Sequence, residues 1–188
     1  MLGEFNPNII KTGNCVVLSP SSHMNTQIIK TIIHHSTIKY CIVINNTNEY
    51  SAITENVYNN LNIIRKLNSY IYSFRSTPTI VVFDNLMTES LEDQDISYLY
   101  LNGRTTNTLT ITSLSEPYTI PMMLYVGVDY LFLCGSTDTT YIEQIYNLLV
   151  CTMMPLPIFT KFMNDYDNTN KIIVLDIKQS KIFEMEIA

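Results

Sequence analysis

The chain has 188 residues, 46% of them apolar, and carries a formal charge of −6 from 11 Lys and Arg against 17 Asp and Glu. That length and apolar share suit a single domain, 1–188, around one well-filled core. The longest apolar runs, such as TIVVF and YLFLC, fall far short of the roughly 20 residues a membrane-spanning helix needs, and the acidic balance without a Lys/Arg cluster leaves DNA binding by a monomer unsupported by charge.

The opening MLGEFNPNII has no basic stretch ahead of a long apolar one, so no secretory signal is read and the chain is expected to act inside a cell. Continuous apolar runs of strand length follow at Cys15–Leu18, Tyr40–Ile44, Thr79–Phe83, Leu109–Leu114 and Tyr130–Leu133. Continuous rather than alternating runs suit strands buried on both faces, hence a mainly parallel sheet. Helical spacing fills the gaps: Thr26–His34 aligns Ile28, Ile29, Ile32 and Ile33, Ser51–Tyr70 aligns Val57, Leu61, Ile64 and Leu67, and Ile96–Leu101 is a shorter helix. Helices are also expected at Thr140–Val150 and, past the MMPLP break, at Ile158–Tyr166. Strands Ile172–Leu175 and Ile182–Ile187, joined through DIKQSK, are expected to pair as an antiparallel edge. Strand, helix and strand in repeated order imply right-handed crossovers and three layers, α/β/α.

Four cysteines, Cys15, Cys41, Cys134 and Cys151, lie far apart in apolar surroundings with no CxxC pair, which predicts buried reduced thiols and no metal site. His23 and the His34–His35 pair read as loop and helix-end residues. The acidic stretch Thr88–Ser97 reads as a solvated loop and helix start, and Met122, Met123, Met153 and Met154 as packing or interface residues.

Between the first strand and first helix, Ser19, Pro20, Ser21, Ser22, His23, Met24, Asn25 and Thr26 align without gaps to G-x-x-x-x-G-K-[ST] and keep only the final Thr. That motif needs glycines so that backbone N–H groups wrap phosphates, and a Lys to meet their charge. Taken alone, the stretch is an ordinary strand, turn and helix. TIVVFDNL then has the form of a Walker B strand ending in an acid, Asp84, placed to hold magnesium.

The run LYLNGRTTNTLTITSLSEPYTIPMMLYVGVDYLFL changes the weight of both segments. It resembles the DNA-packaging ATPases of large double-stranded DNA viruses, the poxvirus-type branch of the FtsK/HerA family. Asn102, Gly103 and Arg104, then Pro117, Ile120 and Pro121, then Asp129, Tyr130 and Phe132 match that family's pattern in order, and the likeness extends over residues 14 to 188. The resemblance implies a three-layer α/β/α P-loop NTPase fold of RecA-like type, with a mainly parallel sheet and C-terminal antiparallel edge strands.

The departures fall on the residues that the family uses for chemistry. The P-loop Lys position is Asn25 and the Gly before it Met24; the second Walker B acid is Asn85; the sensor Gln falls at Ser115, the Arg before the D-Y pair at Tyr125, and the His after N-G-R at Thr105. Phosphoryl transfer depends on positioning and charge neutralisation, so each lost donor costs about 10²- to 10³-fold in rate and an arginine finger about 10³- to 10⁵-fold. The resemblance therefore implies an inactive relative with no catalytic residues and no resident cofactor, ATP and magnesium being held through Thr26 and Asp84 only if binding is kept. Such a protein is expected to act as a structural, adaptor or regulatory component of virion assembly or genome packaging, in the host cytoplasm at viral factories or in the virion. Its expected partner is itself or an intact ATPase homologue. Two alternatives stand beside this: an active packaging subunit completed by a partner, and a host-directed interaction protein that binds neither DNA nor nucleotide.

Overall fold

The structure is a computed structural model that describes residues 2–45, 49–59, 63, 66, 77–86, 94–117 and 126–187. Among these residues, nine strands form one sheet: β1 (Gly3–Glu4), β2 (Gly13–Leu18), β3 (Tyr40–Asn45), β4 (Val57–Tyr58), β5 (Thr79–Asp84), β6 (Thr108–Leu114), β7 (Tyr130–Leu133), β8 (Lys171–Asp176) and β9 (Lys181–Glu186). Their order is β1-β9-β8-β7-β2-β6-β5-β3-β4. From β7 to β4 every pairing is parallel, whereas β8 runs antiparallel to both β7 and β9, the edge that the DIKQSK turn predicts. The central strands β2, β5 and β6 are buried at every residue, which is why Cys15–Leu18 and Ile80–Phe83 are continuously apolar, while β6 buries Thr108, Thr110, Thr112 and Ser113 between its apolar residues.

Helices cover both faces. α1 (Ser22–His35) sets Ile28, Ile29, Ile32 and Ile33 against Cys15, Val17, Val43, Val82 and Ile111 on one face. On the other, α2 (Gln94–Asn102), α3 (Thr139–Ile145) and α4 (Leu156–Asp165) bring Leu99, Ile142, Ile145, Phe159 and Met163 onto Val16, Leu18, Val81, Leu131 and Leu175. Fully burying each such side chain contributes about 1.5–3 kcal/mol. α3 passes into one π-helical turn, Tyr146–Val150, closed by the Cys151 N–H on the Tyr146 carbonyl oxygen at 2.8 Å. Among the described residues no helix is long and apolar enough to cross a membrane.

Three expectations change. α1 begins at Ser22, a turn earlier than Thr26. The first part of the Ser51–Tyr70 helix is instead a turn followed by β4. Thr54 Oγ1 donates to the Cys41 carbonyl oxygen, and the Val43 N–H donates to that of Asn56, so this segment satisfies the open side of β3. Ile63 and Lys66 are helical, and the rest of that stretch lies outside the described residues. Cys15, Cys41 and Cys134 are buried free thiols, but Cys151, which directly follows the π turn, is exposed.

Candidate functional site

Strands β2, β6, β5 and β3 are parallel, so Leu18, Leu114, Asp84 and Asn45 end side by side at one edge of the sheet, where α1 also starts. The link from β2 to α1 is only Ser19–Ser21. The Ser19 N–H donates to the Leu114 carbonyl oxygen at 3.3 Å, and the Ser21 N–H to Ser19 Oγ at 3.1 Å. Ser21 caps the helix, its Oγ accepting from the Met24 N–H at 3.4 Å while its carbonyl oxygen accepts from the Asn25 N–H at 3.1 Å. Thus Ser22 and His23, which fall in the loop part of a phosphate cradle, already belong to the first turn of a capped helix. Ser22 and His23 are exposed, and Pro20 is at the surface of the link.

Asn25, at the Lys position, is fully buried. Its Nδ2 donates to the Leu114 carbonyl oxygen at 3.2 Å, which ties α1 to the end of β6 and directs the side chain into the sheet. Asp84 is also fully buried and accepts four hydrogen bonds from uncharged groups. Oδ2 takes Thr26 Oγ1 at 2.9 Å, Asn45 Nδ2 at 2.8 Å and Tyr50 Oη at 2.8 Å, and Oδ1 takes Ser113 Oγ at 2.5 Å. Burial pushes the Tyr50 hydroxyl pKa well up, and the adjacent Asp84 charge adds to the rise, so Tyr50 stays a donor. A magnesium ion at Asp84 has to displace at least one of these donors, because they point hydrogens, not lone pairs, at the carboxylate.

Asn85 follows in the left-handed region, φ 54°, which Asn tolerates, and its N–H donates to Ser113 Oγ at 3.1 Å. Ser115 lies half-buried one residue beyond β6. Tyr125, Ile120, Pro121, Met122, Met123 and most of Thr88–Ser97 lie outside the described residues. A cleft of about 440 Å³ opens beside the link, lined by Pro20, Ser21, Met24, Gly135, Tyr166 and Lys171 among others; neither Thr26 nor Asp84 lines it.

Asn102, Gly103, Arg104, Asp129 and Tyr130 lie at the opposite edge of the sheet, where β6 and β7 begin. Arg104 grips the buried Asp129 with Nη2 at 2.6 Å from Oδ1 and Nε at 3.2 Å from Oδ2, and Lys178 Nζ adds a contact to Oδ1 at 2.5 Å. The Asn14 N–H donates to Asp129 Oδ2 at 2.9 Å, fixing β2 against β7. Gly13 makes this approach feasible: its φ is +123°, and a Cβ there would sit 2.3 Å from Asp129 Oδ2. These motif residues clamp strands together and do not reach the Asp84 end. Sequence reading missed Gly13, Asn14, Asn45, Tyr50, Ser113 and Lys178. A strand that ends in a polar residue beside the Walker B strand was a signal for Asn45; Tyr50 had none.

No protein-family model matches the sequence, and no curated protein is similar to it by sequence. Solved structures share its fold. The DNA-packaging ATPase B204 from Sulfolobus Turreted Icosahedral Virus superposes with a TM-score of 0.69 at 14% identity, over 98% of this chain and 100% of that one. The fold is that of a viral packaging ATPase. The genome-packaging NTPase B204 of Sulfolobus turreted icosahedral virus 2, in complex with AMPPCP, gives 0.67 at 13% identity over 98% of this chain and 100% of its own. The conjugation coupling protein TcpA of pCW3, in its monomer form with ATPγS, gives 0.64 at 11% identity over 94% of this chain and 60% of its own. These neighbours are FtsK/HerA-type ATPases.

Proposed function

We propose that this chain is a non-hydrolysing relative of the viral DNA-packaging ATPases, of the poxvirus-type branch, that serves virion assembly or genome packaging through contacts as a structural, adaptor or regulatory protein. The observation that carries the reading is the state of Asp84. In place of a metal-ready carboxylate with a neighbouring Lys, four neutral side chains close around it. The residue at the Lys position is bonded to the β6 backbone instead. A triphosphate brought to this end meets the Asp84 charge with no lysine to offset it and no loop to wrap it. The residues therefore do not fit a Mg-nucleotide. Its partner is a second copy or an intact ATPase homologue, at the host's viral factories or in the virion.

One observation favours a second reading, retained nucleotide binding: Thr26 and Asp84, the two groups that would hold magnesium, still face each other at 2.9 Å. Phosphate release from Mg-ATP by the purified chain, alone and with duplex DNA, separates the two. The proposal expects no release above buffer. Release that Asp84→Asn abolishes would sink it.

A further inference from the structure

We infer that the outer edge of β9, just past the end of β1, is a docking site for an extended polypeptide segment in which basic and apolar residues alternate. Backbone groups of successive strand residues turn to opposite sides. The Ile187 N–H donates to the Asn170 carbonyl oxygen at 2.8 Å on the β8 side, and the Phe5 N–H donates to that of Glu184 at 2.7 Å on the β1 side. Glu184 and Glu186 therefore both present their backbone outward. β1 pairs with Phe183 and Glu184 only. The next step of this parallel ladder calls for a donor from Pro7, which has no N–H. The chain instead turns away into the 3₁₀ turn Pro7–Ile9, capped by Asn6 Oδ1, which accepts from the Asn8 N–H at 3.0 Å. Glu186 is left with its N–H and carbonyl oxygen facing out, and no described residue bonds them.

A cleft of about 570 Å³ opens where β1 leaves the sheet, lined by Glu4, Phe5, His35, Met185, Glu186 and Ile187 among others. Its two sides differ in chemistry. Phe5, Met185 and Ile187 belong to the apolar layer under α1. On the other face of β9, Glu184 accepts from Tyr166 Oη at 2.6 Å, and by register Glu4 and Glu186 share that face. A strand laid beside Glu186 would turn alternate side chains to apolar ground and to carboxylates. The three acids Glu4, Glu184 and Glu186 meet one cation, Lys171, whose Nζ lies 2.9 Å from Glu184; Glu186 is bonded by the neutral Asn170 Nδ2 at 3.2 Å. Glu4 and Glu186 are exposed. This negative surplus selects a basic occupant and opposes a second copy of the same edge, which would bring like charges face to face. The net charge of −6 also attracts a cationic segment. Main-chain bonds at Glu186 would hold the strand, while the apolar and acidic sides set its sequence.

The inference rests on the backbone and charges of this edge and is independent of the nucleotide reading; its test uses no nucleotide. Fluorescence anisotropy of the full chain at low salt, with a labelled, end-blocked peptide of alternating Lys and Val, measures affinity. A peptide of the same composition, with all its Lys before all its Val, keeps the charge and removes the alternation. Glu4→Lys and Glu186→Lys are compared singly with the charge-matched Glu143→Lys on α3. The alternating peptide is expected to bind saturably, each edge variant to weaken it about three- to tenfold, and Glu143→Lys to stay within about twofold. The block peptide should bind at least about fivefold more weakly than the alternating one. Circular dichroism melts close to the parent's establish that all three variants fold. Absence of saturable binding, equal losses in all three variants, or equal affinity for the two peptides overturns the inference. So does a dimer in sedimentation equilibrium that Glu186→Lys disperses, which would mark a second copy as the occupant.

Discussion

Replacing Asp84 with Ala distinguishes a carboxylate built into the fold from one reserved for a metal. Asp84 is fully buried, and its four donors lie 2.5–2.9 Å away. After truncation one of them has another outlet: the Thr26 hydroxyl can turn to the Ser22 carbonyl oxygen, 3.2 Å away. Tyr50, Asn45 and Ser113 lose this buried acceptor, at about 1–3 kcal/mol each. Relief from burying a carboxylate offsets part of this and the cavity adds to it, so a net loss of about 3–5 kcal/mol is expected. For a chain of this length that lowers Tm by roughly 6–20 °C, at about 2–4 °C per kcal/mol. Asp84→Asn, which keeps one acceptor oxygen, should fall between. Urea unfolding followed by circular dichroism measures the change, with m constant. A carboxylate waiting for magnesium would be under-bonded without it, and its removal would be neutral or stabilising. An Asp84→Ala protein as stable as the parent refutes the reasoning.

Gly13→Ala should destabilise by about 2–4 kcal/mol through positive-φ strain and overpacking, since the new Cβ would meet Asp129 Oδ2 at 2.3 Å; a urea midpoint close to the parent's would show that the clamp is loose. Thiol titration with a chromogenic disulfide near neutral pH should find one fast group, Cys151, because burial pushes Cys41 up to about 12 and raises Cys15 and Cys134 as well; the other three should react only on unfolding. The Tyr166 hydroxyl and then the Lys171 ammonium hold the Glu184 carboxyl below its ordinary 4.5. Its stabilising contribution is therefore complete above pH 4.5 and lost as pH falls through the lowered value, and Glu184→Gln should flatten the acid side of a stability–pH curve.

Much of the sheet was legible because β2, β5 and β6 are buried on both faces and their sequences show it as unbroken apolar or β-branched runs. The start of α1 was not, because aligning Ser19–Thr26 to a phosphate loop obscured the capping ability of Ser21, and the cap is what the chain uses. The spacing of Val57, Leu61, Ile64 and Leu67 argued for a helix from Ser51, but the unpaired side of β3 outweighed local periodicity over 54–58. At the site, Thr26 and Asp84 were readable as a pair from motif positions. Asn45, Tyr50 and Ser113 come from three separate segments, and only the folded sheet brings their donors to one carboxylate.

The proposed closure of the Asp84 end leaves it unable to hold a nucleotide. Isothermal titration calorimetry of the full chain with Mg-ATP, run beside Asp84→Asn, tests this directly. No saturable heat is expected up to about 1 mM, a binding free energy weaker than roughly −4 kcal/mol, for either protein. Saturable binding in the micromolar range that Asp84→Asn removes would contradict it.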